Sequence, residues 1–161
     1  MRHAKAEPGV PEQSDFERAL AARGRDDAAL MGKSLAKLDA VPDGIVSSTA
    51  VRAKETAELA ARAMKFKGAI RLESELYGSD GDAWIDALRA LPSSLDSVLV
   101  VAHSPGIEEA AALLAGGASR NFDVPTSGLL AFAADVSRWK ELEPGDAALL
   151  WFVRPKLIGA L

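Results

Sequence analysis

The chain has no cysteine and only two histidines. The first absence removes disulfide frameworks and thiolate chemistry. Together they exclude a structural zinc site, which draws its four ligands mainly from those two residue types, and no metal or other cofactor is expected. No apolar run approaches the ~18 residues of a membrane span. The opening residues, Met1-Arg2-His3-Ala4-Lys5, contain no apolar signal core. A cytoplasmic protein that does not engage a membrane is expected. Excess positive charge is missing as well. The formal net charge is −4, whereas nonspecific nucleic-acid binding needs a basic face. No repeat, low-complexity tract or linker interrupts the 161 residues, so one domain over 1–161 is expected.

What is present centres on Ser97-Val98-Leu99-Val100-Val101-Ala102-His103-Ser104-Pro105-Gly106. The unbroken apolar run from Val98 to Ala102 predicts a strand buried on both faces, as in a parallel sheet covered by helices. Proline suits the first turn of the helix that follows, and Ile107, Ala110, Ala111 and Leu114 keep helical spacing. His103 therefore falls at the carboxyl end of a central strand, where open α/β sheets bind ligands. A core histidine satisfied by a carbonyl would look the same locally.

Upstream, residues 1 to 14 read as loop. Ser14 or Asp15 is placed to cap a short helix through Ala22 that Gly24 ends, and a second helix carries Ala28, Met31, Leu35 and Leu38. Ile45-Val46-Ser47 predicts a strand, with Ser48 or Thr49 capping an amphipathic helix lined by Thr56, Leu59, Ala60, Ala63 and Met64. Ala69 to Leu72 predicts a further strand and Glu73 to Asp82 a polar loop. A helix follows from about Asp82 to Leu91. Beyond the central helix, Leu129 to Ala133 and Ala147 to Val153 predict two strands close enough to pair antiparallel at an edge. Strands alternating with amphipathic helices predict an α/β three-layer sandwich with a mostly parallel central sheet.

Arg52 occupies the first turn of the helix after Ile45-Val46-Ser47. A cation there opposes the helix dipole, and the helix N–H groups already favour anions; a bound phosphate would relieve the mismatch. An exposed surface arginine is the plain alternative. Arg2-His3 proves nothing alone, and Lys5, Arg18, Arg23 and Arg25 could form a basic rim or simply a solvated face.

Taken in order, these segments resemble a known family. Arg2-His3-Ala4-Lys5-Ala6 is similar to the signature of the histidine phosphatase superfamily, in the variant of SixA-like phosphohistidine phosphatases. Leu20, Arg23-Gly24-Arg25, Ala28 and Gly32 resemble its following segment. The blocks Ser47 to Ala57 and Val100 to Gly106 resemble its arginine and second-histidine blocks. Pro125-Thr126-Ser127-Gly128 and Trp139 to Pro155 resemble its C-terminal strands.

The resemblance implies a phosphoglycerate mutase-like fold and roles for residues. His3 would be the nucleophile, with Arg2, Arg52 and His103 around the phosphoryl group, and Ser48 and Ser104 as further phosphate contacts, although capping also suits Ser48. Two guanidiniums and a cationic imidazole match the charge of a phosphoryl dianion and its spread over three oxygens. Nearby cations should depress the pKa of His3 and keep it neutral for attack. Glu75 is the first candidate for a general acid; Asp80 and Asp82 are better read as helix caps. A phosphoramidate needs less acid help than an alkyl phosphate, which favours phosphohistidine in a protein partner as substrate. A phosphatase for small phosphate esters and a non-catalytic phosphate-binding module are the alternatives. The oligomeric state is not legible. The family carries a strand directly before the Arg-His pair, and only Met1 stands there. Either the true start lies upstream of Met1 or the first strand is missing; a missing strand is expected to leave a slot with unpaired edges and His3 on a frayed terminus.

Overall fold

The structure is a computed structural model, described over residues 1–160. Three parallel strands stand in the order β2 (Ile70–Glu73), β1 (Gly44–Ser48), β3 (Val98–Val101). Two more, β4 (Leu129–Ala134) and β5 (Ala147–Val153), form an antiparallel ladder with an irregularity between Ala131 and Phe132. The helices are α1 (Ala22–Lys37), α2 (Val51–Ala63), α3 (Gly81–Arg89), α4 (Gly106–Ala115) and a short α5 (Pro155–Ile158).

Alternation along the strands shows why there are three layers. Ile45, Leu99, Val101, Leu129 and Trp151 pack with Met31 and Leu35 of α1 and Ala53, Ala57 and Ala60 of α2. Their neighbours Val46, Val100, Leu130 and Phe152 pack on the other face, with Trp84, Ile85 and Leu88 of α3 and Ile107 and Ala110 of α4. A period of two sends successive side chains to opposite faces, so each strand feeds both helical layers. The α/β sandwich with a parallel centre is the expected architecture, as is the antiparallel pair β4–β5.

Residues 14 to 24 depart from expectation. There is no separate helix ended by Gly24. Asp15–Glu17 makes a single 3-10 turn, and Gly24 lies inside the first turn of one long helix, α1. The backbone of this stretch pairs with the N-terminal segment instead. Glu7 N–H donates to Ala19 O, Ala21 N–H donates to Lys5 O, and Ala6 bridges Leu20. Gly24 permits that approach: a Cβ there would stand 2.1 Å from Lys5 O.

The predicted slot exists in part. The Met1 amino group donates to Val100 O at 2.7 Å, and Arg2 bridges Ala102 in parallel sense. Residues 1–3 thus occupy the upper end of the gap between β3 and β4. Below them lies a cavity of about 690 Å³ walled by Val98, Leu99, Val100 and residues 129–134. Among the described residues, no helix is long and apolar enough to cross a membrane.

Helix α1 meets α2 through Gly32, where a Cβ would fall 2.3 Å from Ala60 O. Gly32→Ala should destabilise the protein by about 1–3 kcal/mol through overpacking, read as a lower urea midpoint with unchanged slope. An unshifted midpoint would show that the two helices have room to separate.

Candidate active site

The site forms where three chain segments meet at the carboxyl ends of β1 and β3. The N-terminal segment is tied on both sides. His3 N–H donates to Ala102 O at 2.9 Å, Arg2 N–H to Gly128 O at 3.0 Å, and Ser127 N–H to His3 O at 3.2 Å. Ala4 N–H donates to Thr56 Oγ1, which in turn donates to Arg52 O at 2.6 Å. The terminus is therefore not frayed: Met1 and Ala4 are buried. Backbone pairing with Ala102 at the end of β3 and with residues 127–128 holds it there.

The imidazoles of His3 and His103 lie 5.0 Å apart, centroid to centroid, tilted by 54°. His3 Nδ1 is 2.8 Å from Ala4 O. A carbonyl only accepts, so Nδ1 carries the proton and Nε2 keeps its lone pair. Arg52 Nε–H points at that lone pair from 3.3 Å. Arg52 is buried, 6 % exposed, in the first turn of α2, whose N-cap Ala50 provides no side-chain cap. Ser48 is not that cap; its hydroxyl is 2.9 Å from His103 Nε2. Arg2 donates from Nη1 to Val124 O at 2.7 Å. Arg2 Nε and His103 Nδ1 are buried without a partner.

Two expected contributors stand differently. Ser104 donates to Glu108 Oε1, which engages its hydroxyl within α4. Glu75 is exposed, and its side chain bonds to the Ser74 hydroxyl. The carboxylate that reaches the site is Asp15. Its Oδ2 accepts from Arg52 Nη2 at 2.8 Å and from the Tyr77 hydroxyl at 3.1 Å, and its carbonyl accepts from Arg52 Nη1 at 2.5 Å. Tyr77 stands edge-on to His103 at 5.4 Å and to Phe16 at 5.1 Å. Asp15, Thr56 and Tyr77 have no local signal in the sequence, since each matters only through contacts made far along the chain. Asp80 caps α3, accepting from Ala83 N–H.

With this geometry established, comparison with known proteins is informative. The family profile of the histidine phosphatase superfamily (branch 1) matches residues 1–84, the span that carries Arg2, His3 and Arg52. The chain belongs to the histidine phosphatase superfamily. An uncharacterized protein of Mycobacterium leprae is 31% identical, over 97% of this chain and all of that one. An uncharacterized Mycobacterium tuberculosis protein is 34% identical with the same coverage. The SixA of Agrobacterium tumefaciens, assigned as a phosphohistidine phosphatase, superposes with a TM-score of 0.81 at 28% identity, over 96% of this chain and 95% of that one. A protein histidine phosphatase SixA complexed with tungstate matches with a TM-score of 0.85 at 24% identity, over 98% and 96%. The last is a likeness of fold. The protein is thus a phosphatase, and its substrate carries a phosphoryl group.

In this phosphatase both rings are held neutral. Burial, reinforced by the charges of Arg52, Arg2 and Arg18, lowers His3 to about 4 against the opposing hydrogen bond to Ala4. Burial, then His3 and Arg52, lowers His103 to about 3. The chain has no other histidine, so the C–H NMR signals of its two imidazoles report the site directly. Neither should titrate near the ordinary 6.5; midpoints near 4 and 3 are expected. Unfolded rings bind protons first, so their contribution to stability is complete above pH 6.5 and lost as pH falls through the folded values. A ring titrating at 6.5 in the folded protein, or stability unchanged from pH 7 to 4, would contradict the buried, cation-flanked site.

Proposed function

We propose that this phosphatase hydrolyses phosphohistidine in a protein partner through a phosphohistidine intermediate on His3. The observation that carries the reading is the unprotonated Nε2 of His3, which accepts from Arg52 Nε–H at 3.3 Å, its ring 5.0 Å from a second imidazole. The His3 ring is uncharged at neutral pH, as a nucleophile must be.

In the first step Nε2 attacks phosphorus in line. The bond from phosphorus to the leaving nitrogen breaks, and the electron pair stays with the departing imidazole, which takes a proton from solvent; the proton released by water in the second step returns to solvent. Arg2 and Arg52 balance the charge on the equatorial oxygens. The dianion also raises the proton affinity of His103, whose cation becomes a third positive group. In the second step a water oxygen attacks phosphorus, the bond to Nε2 breaks, and its electrons return to His3. Inorganic phosphate leaves with the water oxygen, and the water gives up one proton.

The carboxylates support this substrate class. Asp15 is held at about 2 by its hydrogen bonds to Arg18 and Arg52, and Glu75 is bonded at the surface. An alkoxide leaving group needs a proton donor in the site; an imidazole leaving group is readily protonated without one. The likeness to the Agrobacterium tumefaciens protein supports the same reading.

Rapid quenching with phosphohistidine should trap acid-labile phosphate on His3. His3→Ala should trap none and turn over nothing; residual turnover by that variant would end the proposal. Arg52→Ala should lower kcat/KM by roughly 10²–10³, the scale of losing one charge-stabilising donor. A faster rate on a sugar phosphate than on phosphohistidine would move the substrate to small esters.

A further inference from the structure

Three N–H groups of the Arg52 guanidinium are engaged, one on each nitrogen. Asp15 takes Nη1 with its carbonyl oxygen and Nη2 with its carboxylate, while Nε faces His3. The edge that presents Nη1 and Nη2 together is held by Asp15, so a phosphoryl group that seats on that edge has to replace it. The two partners differ in how readily they can move. Arg52 is buried within α2. Asp15 sits in a three-residue turn with no buried residue and extended backbone on either side, and its carboxylate is half-exposed. It also has somewhere to go, because Arg18 Nη1 donates to its other oxygen at 2.7 Å.

From these contacts we infer that Asp15 is a specificity-determining residue, a tethered anion that occupies the phosphoryl seat until a dianion displaces it. The inference rests on the proposed role of Arg52 in holding the phosphoryl group. The exchange sets a charge threshold. A buried guanidinium left bare is costly, so it keeps a carboxylate while empty. A phosphoryl group brings about two negative charges and three acceptor oxygens and outcompetes one carboxylate; a free carboxylate or another single charge does not. After turnover the carboxylate returns and helps expel inorganic phosphate. Tyr77, which donates to the same Oδ2, is released by the same displacement and becomes available to the phosphoryl oxygens.

Asp15→Asn keeps the size of the side chain and removes its charge. Titrated with inorganic phosphate in a calorimeter, the variant should bind about tenfold more tightly than the wild type. Phosphate should also raise its Tm further than that of the wild type, because stabilisation follows affinity. Acetate should inhibit the variant at concentrations that leave the wild type untouched. In phosphohistidine turnover the variant should show a lower KM and stronger product inhibition, with kcat no higher than wild type. Unchanged or weaker phosphate affinity would overturn the inference and leave Asp15 as a brace for Arg52. Loss of kcat with unchanged phosphate affinity would overturn it in favour of proton donation. A wild type that neither binds phosphate nor hydrolyses phosphohistidine would instead sink the reading of the site itself, which separates the two failures.

Discussion

A buried guanidinium is the constraint from which the site is built. Arg52 is almost removed from water in the first turn of a helix, where its charge opposes the dipole. Such a charge has to be paired and hydrogen-bonded. It is met by Asp15 from the loop before α1, and by the lone pair of His3. The same charge, added to burial, keeps both imidazoles unprotonated. One charge thus accounts for the neutral rings and for the carboxylate drawn into the pocket.

The placement of His3 depends on the sheet. Residues 1–3 pair with the end of β3 on one side and with residues 127–128 on the other. Thr56 links the next residue to the backbone of Arg52 itself. The backbones of Ala4 and Arg52 are therefore tied to each other through two hydrogen bonds, the kind of preorganisation that proximity effects require. The anchoring is local to the top of the sheet. The cavity between β3 and β4 lies beneath it, so the His3 ring is held by its backbone and by α2 rather than by a filled layer below.

Much of the architecture was legible because it is written in periodicity. Val98 to Val101 alternate between two helical layers as buried strands must, and Leu129 and Leu130 face one layer each. The exception came at residues 14 to 24, where a cap-like Ser-Asp pair and a glycine suggest a helix and its end. The backbone there pairs with residues 5 to 7 instead, and Gly24 is needed for close approach rather than for termination. Local propensity lost to a tertiary contact, which is its usual fate when the two conflict.

By itself the sequence determined the family and the sandwich, and it singled out two rings and two guanidiniums as candidates, because a motif carries residue type and order along the chain. The tertiary structure alone decided which ring nitrogen bears the proton, that Ser48 serves His103 rather than a helix, and that Asp15 rather than Glu75 meets Arg52. Those choices turn on distances of about 3 Å between side chains brought together by folding, and no pattern of residue types specifies a distance.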